Sequence, residues 1–114
     1  MTKGSEITPL ELYARLMAAW SAESSSRWRA DNPATGQCSV TALVAQDMLG
    51  GDILKTRTPD GTHFYNRIGG IKWDFTISEF DRPTPFEDLP SSREEAMADT
   101  SSAQYEALKT RLGV

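Results

Sequence analysis

Residues 62–76 run THFYNRIGGIKWDFT, and the pairing of their two halves sets the architecture. Two runs of strand-forming residues flank Gly69-Gly70, and a glycine pair between such runs reads as a two-residue hairpin loop. With that loop, Ile68 faces Ile71, Asn66 faces Trp73 and Phe64 faces Phe75. One sheet face then carries Phe64, Ile68, Ile71, Trp73 and Phe75, which is a core. The other carries His63, Tyr65, Arg67, Lys72, Asp74 and Thr76. Here His63 faces Thr76, and Asp74 is its diagonal neighbour, about 7–8 Å away at the backbone and within side-chain reach. A slip of one residue would send every one of these side chains to the opposite face.

The pattern extends outward from this hairpin. DILKTRT, residues 52–58, is a third strand-like run that turns through Pro59-Asp60-Gly61, so 52–76 reads as a three-stranded antiparallel meander. Before it, CSVTALVAQDML, residues 38–49, is a mostly apolar helix stopped by Gly50-Gly51. Val40, Ala42, Leu43, Val44, Ala45 and Met48 leave it little face for water, so its expected place is the centre. A first helix is announced by Thr8 as cap, Pro9 at the first helical position and Glu11 completing a capping box. Its predicted apolar stripe is Leu10, Tyr13, Leu16, Met17 and Trp20. A polar loop then runs to Gln37, with Trp28 expected to pin it to the body. DRPTPFEDLP, residues 81–90, holds three prolines and reads as an irregular surface connection. Ser92 to Leu112 reads as a short helix followed by a longer one. The expectation is one α+β domain over residues 1–114, a central helix on a small antiparallel sheet with N- and C-terminal helices.

Composition excludes several classes of function. Of 114 residues, 39% are hydrophobic and 25% charged, with three tryptophans, four phenylalanines and three tyrosines to fill a core. The net charge is -4, against a nucleic-acid partner, because phosphate neutralisation needs a basic surface. MTKGSEITPLEL contains no long apolar leader, and no window approaches the ~20 apolar residues of a membrane span. The expected location is the cytoplasm, where a single free thiol stays reduced.

That thiol raises the question of chemistry. Cys38 is the only cysteine and His63 the only histidine. One cysteine forms no internal disulfide and no multi-cysteine zinc site, and neither metal nor organic cofactor is expected. A thiol is a poor nucleophile until it loses its proton, at a free pKa of about 8.5, and a helix N-terminus favours the thiolate. A neighbouring imidazole takes the proton, and a carboxylate holds that imidazole in one tautomer. Cys38 at a helix start, His63 on a strand and Asp74 on the next have the makings of a Cys-His-Asp triad. Each also has a plainer reading: a small buried residue, a structural histidine, and a charge that blunts a sheet edge.

A cysteine opening a buried helix, then HFYN and WDFT on consecutive strands, resembles the papain-like and transglutaminase-like cysteine fold. More narrowly, NPATGQCSVTALVAQDMLGGDIL followed by HFYNRIGGIKWDFT is similar to the YunG-like family of small bacterial proteins. The likeness runs from Trp20 to about Leu112. It implies the minimal papain-like or transglutaminase-like core and a Cys38, His63, Asp74 arrangement, and it supplies no substrate. It also draws attention to Gln37, Asn32 and Trp28. Acyl transfer needs donors aimed at the oxyanion. The Cys38 backbone N–H is one, and Gln37 or Asn32 the alternatives for a second. Asn32 before Pro33 reads equally as a turn residue, and Trp28 as a cleft wall or a loop anchor. Tyr65 shares the His63 face and borders the site, and Gln46 and Asp47 brace the sheet.

The expected activity is that of a cysteine-dependent hydrolase or acyltransferase: an amidase, deamidase or transglutaminase-like enzyme. Its substrate would be a small-molecule or protein amide or thioester. A chain this short lacks the second lobe of papain-type proteases, which argues against a general endopeptidase. The rival is a non-catalytic interaction or regulatory domain that keeps the fold; redox sensing through Cys38 alone is a third possibility. Oligomeric state is left open.

Overall fold

The computed structural model describes residues 7–59, 61–77 and 86–114. Asp60 of the expected turn, and residues 81–85 of the expected connection, lie outside the described residues. The order is α1 (Pro9–Ala19), α2 (Cys38–Leu49), β1 (Asp52–Thr58), β2 (Gly61–Ile68), β3 (Ile71–Trp73), β4 (Leu89–Pro90), α3 (Arg93–Ala98) and α4 (Ser102–Leu112). The strands form one antiparallel sheet in the order β3-β2-β1-β4.

The hairpin closes as the glycine pair requires. Ile68 pairs with Ile71, Arg67 with Lys72 and Asn66 with Trp73, and both turn glycines have positive φ. β3 ends at Trp73, however, so the ladder never reaches the expected Phe64–Phe75 and His63–Thr76 pairs. Beyond Trp73 the side chain of Asp74 takes the backbone N–H of Thr76 at 3.1 Å, which bends the chain out of the strand. The sheet has four strands rather than three, because Leu89 and Pro90, inside the stretch expected to be irregular, pair with Lys55 and Leu54. An edge position suits this proline, which has no N–H to offer a further strand.

α2 is the central element. Its first eight residues, Cys38 to Ala45, are all buried, with Leu43 and Val44 wholly so, and it packs along β2. Each large aliphatic side chain buried this way contributes about 1.5–3 kcal/mol. Trp20 Nε1 donates to Thr41 Oγ1 at 2.9 Å, tying the end of α1 to α2. α1 has the expected cap, with the Thr8 and Glu11 side chains exchanging hydrogen bonds with each other's backbone. The predicted stripe holds in part: Leu16 and Trp20 are buried and Tyr13 packs against the core. Leu12, Leu16 and Ala19 point inward at i, i+4 and i+7, whereas Leu10 and Met17 are exposed. Ile71 is likewise exposed, on the short edge strand. α4 closes the same side, its Arg111 donating to the carbonyls of Ala19 at 2.7 Å and Ala18 at 3.3 Å. Among the described residues no helix is long and apolar enough to cross a membrane.

Candidate functional site

The pleat of β2 sorts its side chains between two environments. Asn66 Nδ2 donates to the Ala42 carbonyl at 3.0 Å, and Phe64 belongs to the buried cluster of Cys38, Ala42, Leu43, Ile53 and Ala96. Even-numbered residues of β2 therefore meet α2. The unbroken β1–β2 register sends His63 and Tyr65 to the opposite face. There the two rings stack with centroids 5.9 Å apart. Phe86 covers them, 4.9 Å from Tyr65 and 6.5 Å from His63.

His63 and Asp74 are brought together on that face. His63 Nε2 lies 2.6 Å from Asp74 Oδ2, and the two side chains are only 2% and 5% exposed. The other carboxylate oxygen, Oδ1, accepts from the Thr76 backbone N–H at 3.1 Å and from its hydroxyl at 3.3 Å. With Asp74 ionised, Nε2 carries the proton and donates, which leaves Nδ1 as the basic nitrogen of the neutral ring.

Tyr65 lies beside this pair and fastens the residues that cover it. Its hydroxyl donates to Asp88 Oδ1 at 2.7 Å and accepts the Asp88 backbone N–H at 2.7 Å. Burial, and then the bond to Asp88, push the phenol pKa upward. The bonds from Tyr65 and then Lys72 hold the Asp88 carboxyl below its usual value. Glu87 is more heavily bound. Its carboxylate accepts from the Arg57 backbone N–H at 2.8 Å and from the Arg57 guanidinium at 3.1 and 2.8 Å. The Arg57 bonds hold its pKa down at about 2. The Glu87 N–H donates to Thr56 Oγ1 at 3.0 Å, and Lys72 Nζ stands 4.6 Å over the Phe86 ring. Residues 86–90 thus form a strap bonded side chain by side chain across the His63 face. Only Lys72 and Tyr65 of this network stand out in the sequence, through strand alternation. Arg57, Phe86, Glu87 and Asp88 carry no periodic signal.

Cys38 is elsewhere. It opens α2 as expected, 4% exposed, and packs on the Phe64 face of the sheet. The thiol and the imidazole leave opposite faces of one sheet, whereas a nucleophile and its base must come within hydrogen-bond reach. Of the three expected residues, His63 and Asp74 are joined directly, and strand alternation sets them on the face of β2 away from α2.

The remaining candidates are structural in their contacts. Gln37 is wholly buried and its Nε2 donates to the Ser21 carbonyl at 3.3 Å, bracing the loop rather than capping α2. Asn32 sits in a turn, bridged to Arg29, its carbonyl accepting from Thr35 N–H. Trp28 packs against the cluster of Trp20, Ala34 and Val40, its buried Nε1–H meeting no hydrogen-bond acceptor among the described residues. Gln46 and Asp47 brace α3 and α4, and Gln46 Nε2 also donates to the Gly51 carbonyl at 3.0 Å, at the entry to β1. Arg93 binds Gln46 Oε1 at 3.0 Å and Asp47 Oδ1 at 3.0 Å, and the Tyr105 hydroxyl bonds Asp47. Among the described residues no group of three His, Cys, Asp or Glu is placed to hold a metal ion.

A family model described as YunG protein matches residues 8–113. The chain belongs to that family. It is also similar to a Bacillus subtilis (strain 168) protein named "Uncharacterized protein YunG", 50% identical over 94 residues that make up 82% of each chain. No solved structure matches. The YunG match runs from the cap of α1 past the end of α4, so it takes in Cys38, the His63–Asp74 pair and the strap alike.

Proposed function

We propose that this chain is a non-catalytic binding or regulatory domain in which Cys38 and the His63–Asp74 pair serve the fold. One observation carries the reading: Cys38 packs between α2 and the Phe64 face of the sheet, and His63 packs under the strap on the other face. Proton transfer between them would need the imidazole to cross the sheet, against the β1–β2 ladder and the Tyr65–Asp88 and Arg57–Glu87 bonds. On this reading Asp74 satisfies a buried histidine, and Cys38 is a small apolar residue beneath α3.

The second reading is a thiol-dependent hydrolase or acyltransferase of the papain-like or transglutaminase-like kind. Its support is the atom that Asp74 selects. By taking Nε2 it leaves Nδ1 as the base, and Cys38 stands at the first position of a long helix. The substrate would be an amide or thioester of a small molecule or a protein.

Alkylation of Cys38 separates the two. Iodoacetamide should modify the native protein at neutral pH at least about tenfold more slowly than the unfolded chain, because access requires local opening. His63→Ala should change that rate only as far as it changes stability. Fast native alkylation that His63→Ala slows, with the fold intact, would overturn the binding-domain reading in favour of the enzyme.

A further inference from the structure

We propose that the polar cleft at the N-terminal end of α2 binds a small zwitterion of amino-acid size, its carboxylate held by Arg27 and its ammonium by Asp99. The inference rests on the reading that the chain works by binding, and it names the ligand class. The cleft has a volume of about 210 Å³. Three parts of the chain build it: the loop after α1 (Ser25, Ser26, Arg27), the start of β2 (Thr62) and the α3–α4 corner (Asp99, Gln104). A second hollow of about 180 Å³ shares Thr62 and Asp99 and reaches Phe64. Phe64 belongs to the Cys38 cluster, and Gly36 of the cleft wall lies two residues before Cys38. The cleft therefore adjoins the first turn of α2.

Both charged residues line the cleft from exposed positions on anchored backbone. Ser25, 4% exposed, accepts the Arg27 backbone N–H on its Oγ at 3.1 Å and so sets the turn that carries Arg27. Gly36 lets that turn close. A Cβ there would lie 2.5 Å from Ser25 Oγ and 2.9 Å from Arg27 Cβ, and its φ is +75°. Asp99 is fixed as the C-cap of α3, its N–H on the Ala96 carbonyl at 3.1 Å. Among the described residues neither Arg27 nor Asp99 enters a side-chain ion pair, although seven other such pairs form. Gln104 Oε1 is taken by the Thr100 hydroxyl at 2.7 Å, which leaves its Nε2 as a donor at the cleft.

These walls select against singly charged ligands. A simple anion gains Arg27 and the Gln104 amide but meets the Asp99 carboxylate. A simple cation gains Asp99 and meets Arg27. A molecule carrying both charges satisfies both walls, and a guanidinium fork suits a carboxylate. The volume is below the roughly 300–1,000 Å³ of sites for drug-sized ligands, which fits one amino acid better than a peptide.

Isothermal titration of the full chain with glycine, glutamine, glutamate, lysine and phenylalanine tests this. Saturable binding is expected for at least one. It should weaken at least about tenfold in Arg27→Gln and in Asp99→Asn, the loss of one charge-assisted contact. The N-acetyl and amide derivatives of the bound amino acid should both fail. Both substituted residues are exposed, and thermal melts would establish that the variants fold. No saturable binding by any of the five overturns the proposal, as does binding indifferent to both substitutions or one that survives removal of either charge. Failure with Cys38 slow to alkylate overturns the ligand class alone. Rapid, His63-dependent alkylation overturns the reading beneath it.

Discussion

Replacing Tyr65 by phenylalanine deletes one oxygen and two short hydrogen bonds, besides a 3.5 Å contact with the Lys55 carbonyl too long to count for much. The bond to Asp88 Oδ1 is 2.7 Å and involves a charged acceptor; the bond from the Asp88 N–H is also 2.7 Å. Bonds to charged groups contribute about 1.5–3 kcal/mol and neutral ones about 0.5–1.5 kcal/mol. The Asp88 side chain is 45% exposed, so water replaces part of the first. Asp88 is also the one described non-glycine residue with positive φ, at 54°, a conformation that costs about 1 kcal/mol and that a freed strap can leave. The net loss should be about 2 kcal/mol. For a chain of this size that lowers Tm by about 6–12 °C. Urea unfolding followed by tryptophan fluorescence gives the free energy, and an unchanged m-value would place the loss in stability rather than compactness. The double variant Tyr65→Phe, Asp88→Ala should lose clearly less than the sum of the two single variants. A loss under about 0.5 kcal/mol, or strict additivity, would refute the strap as a side-chain latch.

Other outcomes follow from the same geometry. Glu87 has its pKa depressed from 4.5 to about 2, so its contribution is present above the unfolded value and is lost as pH falls from 4.5 towards 2. Glu87→Gln should flatten the fall of Tm with pH over that range, and parallel curves would contradict the Arg57–Glu87 assignment. Gly51→Ala should be severe, because a Cβ there would sit 2.1 Å from the Arg67 carbonyl oxygen, on backbone that cannot yield. Gly50→Ala meets nothing within 4 Å among the described residues and should cost only backbone strain, about 1–3 kcal/mol, because its φ of 75° and ψ of -157° suit glycine alone. Urea midpoints should rank the two variants in that order.

The elements that sequence makes legible are those with a strong local signal. The capping box of α1, the apolar run of α2 closed by Gly50 and the Gly69-Gly70 turn each dictate their own structure. The hairpin register that follows places His63 beside Asp74. The residues that escaped depend on distant contacts. Leu10 and Met17 match helical spacing as well as Leu12 does, and only the position of α2 and α4 decides which stripe is buried. Leu89 and Pro90 become a strand because Leu54 and Lys55 offer a free edge. The side of the sheet on which Cys38 falls was implicit: if α2 covers the Phe64 face, His63 cannot share it.

The distance from Cys38 Sγ to the nearer ring nitrogen of His63, measured in a crystal structure of the full chain, separates a binding domain from a thiol enzyme. With the sheet between the two groups, the expected value is well beyond ~5 Å, with His63 Nε2 on Asp74 and Phe86 over the ring. A separation within ~4 Å, the sulfur facing Nδ1 on the same side of the sheet, would contradict the account and restore the triad.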